Sequence, residues 1–279
     1  MLVFVNEVQI TVTEKFTVTQ MAQKIKPSAD IFILNGYPTD GKAILKNNDR
    51  LVLIQRKEIP PLSELEILMA ARHSPGIHRR LKNAVVGIAG CGGLGSNVAV
   101  SLARVGVGTL ILADFDVVEP SNLNRQQYFI DQIGTLKVDA LETNLSRINP
   151  TVRVQSHPVK LVPENIPDIF RTADVLVEAF DRADQKAMLV ETVEMTMPGK
   201  PLVLGLGIAG YGFNNLLRTR SVGNLHICGD EMSEAGPHFG LMAPRVAIAA
   251  NMQANQVLEI LLGPDPRIIA SSGGKVETK

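Results

Sequence analysis

The chain has 279 residues, with 28 basic and 28 acidic side chains and a formal net charge of +0 at pH 7. Apolar residues make up 45% of the chain, enough for the core of one large domain, alone or with a small companion. The balanced charge gives no electrostatic reason to expect nucleic acid or an acidic membrane as the main partner.

Cysteine content and the first residues bear on where the protein works. Cys91 and Cys228 are too few for a disulfide framework or for a zinc site with four thiolates. The sequence opens without a basic leader before an apolar core, and no apolar run approaches the roughly 20 residues that span a bilayer. We therefore expect a soluble, cytoplasmic protein with no signal peptide and no membrane partner.

Residues 1–57 predict a small β-rich unit. Two β-rich runs meet at Asn6–Glu7, a helix is expected over 17–25, and short strands are expected at 30–36 and 49–55. This order of strand, strand, helix, strand, strand is typical of a β-grasp, ubiquitin-like domain. The alternative is that these strands extend the main sheet.

Residues 58–82 are predicted to be a linker that contains one helix. Pro60 and Pro61 interrupt the strand pattern, and Ser63 is placed to cap a helix over 63–72. A basic stretch follows, either as a solvated surface, which charge alone favours, or as a cationic arm near a polyphosphate. Its members are Arg72, His73, His78, Arg79, Arg80 and Lys82.

From residue 83 to residue 263, buried strands alternate with helices, which predicts an α/β domain with a mainly parallel sheet covered on both faces. Residues 211–220 and 222–228 predict an antiparallel extension of that sheet. A long apolar helix over 243–263 closes the domain, and residues 264–279 form a polar tail.

A glycine turn lies after the first buried strand of this domain. Gly90, Gly92 and Gly95 have the spacing of a turn that lets phosphate approach the backbone and the start of a helix. Asp114 ends the next strand, where a carboxylate can accept hydrogen bonds from ribose hydroxyls. These features favour an adenosine nucleotide but do not separate NAD from ATP. The alternative is close packing of helix on sheet without a ligand.

The segment from Asp114 to Gln126, DFDVVEPSNLNRQ, resembles the ThiF/MoeB family, the bacterial relatives of ubiquitin-activating enzymes. Lys137 and Asp181 follow in the matching order, and the resemblance spans roughly residues 70–262. Residues 1–57 look like a ThiS-type sulfur carrier fused in front. The resemblance implies a Rossmann-like adenylation domain behind the β-grasp domain.

The resemblance also implies an activity. The C-terminal Gly-Gly carboxylate of a small carrier protein attacks the α-phosphorus of ATP, pyrophosphate leaves, and an acyl-adenylate remains. The implied acceptor is a ThiS-like carrier of thiamine thiazole biosynthesis, and the implied assembly is a homodimer. Nucleic acid is not expected as a partner.

Each matched residue acquires an implied role. Arg125 and Lys137 would bind phosphates, Asp181 would hold Mg²⁺, and Arg72 would reach the site of the partner subunit. The residues implied to bind the nucleotide are Gly90, Gly92, Gly93, Gly95, Asp114, Asp116, Ser121, Asn122 and Gln126. The alternatives are that Asp116 forms a turn, that Lys137 is a surface lysine at a helix start, and that Asp181 pairs with Arg182.

The chain departs from the family pattern at the zinc motif, in the front domain, and at Asp181–Arg182, where relatives often have Asp-Asn. It lacks two CxxC pairs, so we predict no structural zinc. Several relatives have a reactive cysteine in the region of Cys228, which is here either a thiol that bonds a sulfur-loaded carrier or a buried apolar residue. A metal pair with His226 or His238 is a further alternative. The front domain runs into the linker without a Gly-Gly, so it cannot itself be adenylylated.

Three other functions remain open from the sequence. The glycines and Asp114 alone would suit an NAD-dependent oxidoreductase, which leaves the SNLNRQ segment unexplained. An inactive nucleotide-binding scaffold would keep the fold without turnover. A relative with another acceptor would adenylylate a molybdopterin or cysteine-pathway carrier, or a tRNA base.

Overall fold

The computed structural model describes residues 1–13, 15–71, 73–74 and 76–264. These residues form two compact units, Met1–His73 and a second unit that begins at Ser74. The domain boundaries predicted from the sequence, at residues 57, 82 and 263, stay a prediction.

The first unit is a five-stranded sheet in the order β2-β1-β5-β3-β4, with β1 and β5 parallel at its centre. Helix α1 contributes Val18 and Met21 to a core that includes Val3 and Leu51. This is the predicted β-grasp arrangement. Its elements are β1 (Leu2–Val5), β2 (Val8–Thr11), α1 (Val18–Ile25), β3 (Ile31–Leu34), β4 (Tyr37–Pro38), β5 (Arg50–Ile54) and α2 (Leu62–Ala70).

The first hairpin turns at Asn6–Glu7, as predicted, and both residues have positive φ angles, 47° and 64°. A two-residue turn with positive φ at both positions has a backbone twist that matches the right-handed twist of the flanking strands. The buried Asn6 side chain accepts a hydrogen bond from the Leu53 backbone at 2.8 Å and donates to the Glu64 carboxylate at 2.7 Å. Asn6 therefore joins β1, β5 and α2 within this unit.

Helix α2 begins at Leu62, one residue before the predicted start at Ser63. Pro61 occupies the N-cap position and makes no side-chain cap, so Ser63, predicted as the cap, lies inside the helix. Proline's fixed φ suits this non-helical position, where Pro61 has φ and ψ angles of −50° and 145°.

The second unit is a seven-stranded sheet in the order β11-β12-β10-β9-β6-β7-β8. Only β11 runs antiparallel, because β12 pairs in parallel with β10; the predicted extension is therefore antiparallel only in its outer hairpin. The strands are β6 (Val85–Ala89), β7 (Thr109–Ala113), β8 (Arg153–His157), β9 (Val175–Glu178), β10 (Leu202–Gly205), β11 (Arg218–Val222) and β12 (Leu225–Gly229).

Helices cover both faces of this sheet, as its buried strands require. One core lies on the side of α4, α5 and α8, and the other on the side of α6 and α7, where Phe170 and Leu189 are fully buried. The helices are α3 (Ile77–Lys82), α4 (Gly93–Arg104), α5 (Lys137–Ile148), α6 (Ile166–Phe170), α7 (Ala183–Thr196) and α8 (Ala243–Leu262).

One member of the basic stretch has a structural role in this unit. The Arg80 guanidinium donates hydrogen bonds to the carbonyls of Leu261 and Leu262, each at 2.8 Å, at the C-terminus of α8. A cation there satisfies carbonyls that lack helical partners and interacts favourably with the helix dipole. This contact gives Arg80 a structural role at the end of α8 and argues against a cationic arm at this residue.

In the described part of the chain, no helix combines the length and the apolar character that a bilayer span requires.

The turn between β6 and α4 depends on the absence of a β-carbon at Gly95. A β-carbon there would overlap the carbonyl oxygen of Gly90 and lie 2.9 Å from its carbonyl carbon. We expect Gly95→Ala to lower the free energy of unfolding by about 2–3 kcal/mol, because backbone atoms cannot move aside as a side-chain end can. Urea unfolding measures the change.

Gly236→Ala is the matched control, since no atom of the described residues lies within 4 Å of its added β-carbon and its φ is not positive. Its stability should stay within about 0.5 kcal/mol of the parent or rise slightly. Equal stability of the two variants would contradict the close approach at Gly95.

Candidate functional site

The candidate site lies at the carboxyl edge of the parallel sheet, where the strand order reverses. Strand β6 lies between β7 and β9. Helix α4, which follows β6, and helix α7, which follows β9, pack on opposite faces of the sheet, and this opens a crevice outside the strand ends. A cavity of about 520 Å³ lies there, lined by the loops that follow β6, β7, β8, β9 and β10. Its size is in the range of small-molecule sites.

The glycine turn forms one wall of the cavity. Gly90 has a φ of 95° and donates its N–H to the Ala113 carbonyl at 2.9 Å, so the turn crosses the end of β7. Gly92 is the N-cap of α4, and no side chain caps the helix. The first N–H groups of α4 and the positive end of its dipole therefore lie beside the cavity, an arrangement that favours an anion.

The N-terminal half of α4 also holds the loop that carries Arg125. The Asn97 amide donates to the Gly93 carbonyl at 2.7 Å and to the Arg125 carbonyl at 3.1 Å, and it accepts from Gln127 at 2.7 Å. One buried side chain thus fixes the backbone of this loop against the glycine turn.

Two buried polar atoms on this loop make no hydrogen bond within the described part of the chain. Arg125 donates through Nη1 to Asn124 at 2.8 Å and to the Ser121 carbonyl at 3.2 Å, but its buried Nε has no hydrogen-bond partner among the described residues. The buried Oε1 of Gln126 has none in the described part of the chain either. Since buried polar atoms are nearly always hydrogen-bonded, their position beside the glycine turn indicates a site for a polar ligand.

Two carboxylates and a lysine also line the cavity: Asp114 and Asp116 on the loop after β7, and Lys137 at the start of α5. Asp114 accepts N–H groups of Cys91 at 2.6 Å and of Asp116 at 2.8 Å, and burial raises the pKa of Asp114 against these hydrogen bonds. Lys137, the first residue of α5, is 6% exposed, and its Nζ lies 2.8 Å from the Asp116 carboxylate. An ammonium has three N–H groups, so two remain after this bond.

Asp181 reaches the cavity from the loop after β9. It is exposed and lines the cavity together with Arg182. Arg182 donates to Asp184 at 3.0 and 2.9 Å, so the ion pair observed here is Arg182–Asp184 rather than the alternative with Asp181.

Most of the predicted site residues meet at this cavity. Gly95 lies behind the turn, and Ser121 and Asn122 form a short 3₁₀ turn whose bonds go to Glu119. Arg72 lies outside the described residues. The predicted residues that line the cavity are Gly90, Gly92, Gly93, Asp114, Asp116, Arg125, Gln126, Lys137 and Asp181.

Several lining residues were not singled out by the sequence. Lys186 on α7, the segment 205–209 after β10 and the segment 233–235 all line the cavity. The glycines at 205 and 207 were a usable signal, since a second glycine-rich segment directly follows a buried strand. Lys186 gave no such signal, because its spacing fits an ordinary helix surface.

Both thiols are buried. Cys228 is 0% exposed in β12, its Sγ lies 3.6 Å from the Thr219 hydroxyl, and burial raises its pKa. Burial also raises the pKa of Cys91, which the negative charge of Asp114 raises further. His226 bonds Ser221 at 2.8 Å. In this structure Cys228 has the surroundings of a buried apolar residue.

We expect both thiols to react with DTNB at pH 8 on the order of 100-fold more slowly in the folded protein than in guanidinium chloride, because the thiolate is the nucleophile and a raised pKa with burial makes it scarce. The released thionitrobenzoate is followed by absorbance. Cys228→Ser should remove one of the two equivalents seen after unfolding. A fast equivalent in the folded protein that this variant abolishes would show that Cys228 is reactive.

Comparison with known proteins identifies the two parts of the chain. A sequence model of the ThiF family matches residues 66–273. A model described as ThiS-like ubiquitin matches residues 1–57.

Curated relatives carry adenylyltransferase names. The chain is 31% identical over 209 residues to the sulfur carrier protein adenylyltransferase of Thermus thermophilus, an alignment that covers 68% of this chain and 73% of that protein. It is 29% identical over 212 residues to the adenylyltransferase and sulfurtransferase UBA4 of Candida glabrata, covering 71% of this chain. The chain spans only 48% of the length of that UBA4 protein.

Solved structures share the fold. The E. coli tRNA N6-threonylcarbamoyladenosine dehydratase TcdA, solved in complex with ATP, superposes with a TM-score of 0.61 at 20% identity, covering 74% of this chain and 94% of TcdA. At this identity the likeness shows the fold alone. The ThiF family model matches well over half of the residues of this chain, and the alignment with the Thermus relative covers most of that protein. The chain therefore belongs to the ThiF family.

Proposed function

We propose that the chain is an ATP-dependent adenylyltransferase that acts on the C-terminal Gly-Gly carboxylate of a separate, ThiS-like sulfur carrier protein. One observation carries the proposal: Arg125, Lys137 and Asp181, which come from three different segments, line one cavity beside the glycine turn. The names of the Thermus and Candida relatives support the same activity.

The cavity suits ATP in its distribution of polar groups. The start of α4 would take phosphate oxygens, and Asp114 retains lone pairs for ribose hydroxyls after its two backbone bonds. The unpartnered Arg125 Nε and Gln126 Oε1 would gain hydrogen-bond partners from the nucleotide or from water that it orders. The ATP complex of TcdA, which shares this fold, is consistent with this assignment.

The reaction joins two anions, a carboxylate and a triphosphate. A carboxylate oxygen forms a bond to the α-phosphorus, the bond from the α-phosphorus to the bridging oxygen breaks, and pyrophosphate leaves with both electrons of that bond. Arg125 and Lys137 would offset the negative charge that builds on the phosphates, and their positions are fixed before the substrate arrives. Orienting the two reactants accounts for up to roughly 7–11 kcal/mol of the barrier in such reactions.

Asp181 fits a magnesium ion. Mg²⁺ is commonly bound through one or two carboxylates together with the phosphates of the substrate, and the exposed Asp181 carboxylate lies at the cavity. When bound, the ion would neutralise part of the negative charge of the phosphates. Asp181 would then hold the ion, while the side chains of Arg125 and Lys137 hold the phosphates.

The carrier has to be a separate chain. After β5 the backbone continues into α2, which the Asn6–Glu64 bond attaches to the first unit, so this unit presents no free carboxylate at residue 57. The proposed carrier is ThiS-like and belongs to thiamine thiazole biosynthesis, with molybdopterin and cysteine-pathway carriers as alternative acceptors. We propose a homodimer in which Arg72 of each subunit serves the site of the other.

We expect ATP–pyrophosphate exchange in the presence of Mg²⁺ and a carrier that ends in Gly-Gly. Arg125→Ala and Lys137→Ala should each lower the exchange rate by about 10²–10³, because each removes a preorganised donor to the transition-state charge. Mass spectrometry of the carrier should show the added adenylate. Arg104→Ala, an exposed arginine at the end of α4, is the matched control and should exchange at the parent rate.

The competing functions predict different results. An NAD-dependent oxidoreductase would be stabilised against heat by NAD and not by ATP, and a scaffold would be stabilised by ATP without exchange. Undiminished exchange in Arg125→Ala would contradict the role given to Arg125.

A further inference from the structure

A buried ion pair beneath the cavity has no part in the proposed chemistry. Glu178, the last residue of β9, is 0% exposed. The Nζ of Lys186, on α7, lies 2.9 and 2.8 Å from its two carboxylate oxygens. The Lys186 side chain is 18% exposed and lines the cavity.

A third bond uses the last donor of Lys186. Its Nζ donates to the carbonyl of Gly205, the last residue of β10, at 2.9 Å. An ammonium has three N–H groups, so Lys186 has none left for a phosphate in this arrangement. Glu178 pairs with Leu204 in the sheet register, so the lysine joins the carboxyl ends of two neighbouring strands.

Glu178 in turn fixes the loop that leads to Asp181. Its Oε1 accepts the N–H of Phe180 at 2.6 Å, and its backbone carbonyl accepts from the Gln253 amide of α8 at 2.9 Å. The next residue, Ala179, donates its N–H to the Ala89 carbonyl at 2.9 Å. The start of the loop is therefore held from α7, α8 and β6.

The charges of Glu178 and Lys186 depend on each other, because the pair is buried away from water. Burial raises the pKa of Glu178, and the Lys186 ammonium opposes this rise. Removing one partner of a buried pair leaves the other charge uncompensated, which destabilises strongly, whereas replacing both can be nearly neutral. Replacing Glu178 and Lys186 together by uncharged residues therefore separates the electrostatic effect of Lys186 from its contact with Gly205.

We infer that Lys186 is a positioning residue of the proposed adenylyl transfer: by binding Glu178 and Gly205 together, it fixes the Phe180–Asp181 loop and the segment 205–209 as two walls of one cavity. This role rests on the proposed function. Lys186 acts through Asp181 and through the wall that begins at Gly205, and it makes no contact with the phosphates.

The test uses the full chain with ATP, Mg²⁺ and a Gly-Gly carrier. We expect Lys186→Met to lower kcat for exchange by about 10²-fold, the effect of a displacement of about 1 Å in a catalytic site, and to raise the Mg²⁺ concentration that gives half-maximal rate. Lys186→Arg keeps the charge and several donors and should recover most of the rate. The KM for ATP should change less than kcat.

Glu178→Gln combined with Lys186→Met keeps the test decisive where Lys186→Met fails to fold. The glutamine removes the unpaired charge and retains an acceptor for Phe180, while the bond to Gly205 stays lost. We expect near-parent stability with kcat and Mg²⁺ dependence still impaired. Parent values of both in the double variant, or in folded Lys186→Met, would overturn the positioning role.

Lys200→Met is the control for a purely structural lysine. Lys200 binds the carbonyls of Arg171 and Ala173 at the opposite edge of the sheet, just before β10. It should lose some stability with no change in Mg²⁺ dependence, and an equal shift in this variant would overturn the role given to Lys186. Absence of exchange in the parent protein would instead overturn the proposed function, and this role with it.

Discussion

The site depends on one close approach, that of α4 to the end of β6. Because Gly95 has no β-carbon, the helix can begin directly against the Gly90 carbonyl, and its first N–H groups open onto the strand ends. The second turn of the same helix carries Asn97, whose amide holds the Arg125 loop. A shift of α4 would therefore move both the anion-binding backbone and the arginine beside it.

The polar groups around the cavity fall into two kinds. Asn97, Glu178 and Lys186 make their hydrogen bonds to protein atoms, and so fix the loops around the cavity. Arg125 and Gln126 keep buried polar atoms without partners in the described structure. In a preorganised site, fully hydrogen-bonded residues hold other donors and acceptors in place for a ligand. A surface cluster of the same residues would lack this support.

The two units show that fold and chemistry separate. The first unit keeps the β-grasp sheet and its core, yet its last strand continues into α2 in place of a free terminus. A carrier's reactivity resides in that terminus and not in the sheet, so the unit has the shape of a carrier without its reactive group. The chemistry of this protein is to be sought in the second unit, where the strand ends and the cavity lie.

Most helices and strands, the Asn6–Glu7 turn and the glycine turn before α4 could be predicted from the sequence, because apolar periodicity and turn residues act over a few neighbours. Most of the candidate site could be predicted as well, because parallel strands end at one edge of the sheet. Three features became visible only in the folded chain: Cys228 is buried, β12 runs parallel to β10, and Glu178 pairs with Lys186 beneath the cavity. Those outcomes depend on which distant segments pack together, and no local pattern encodes that choice.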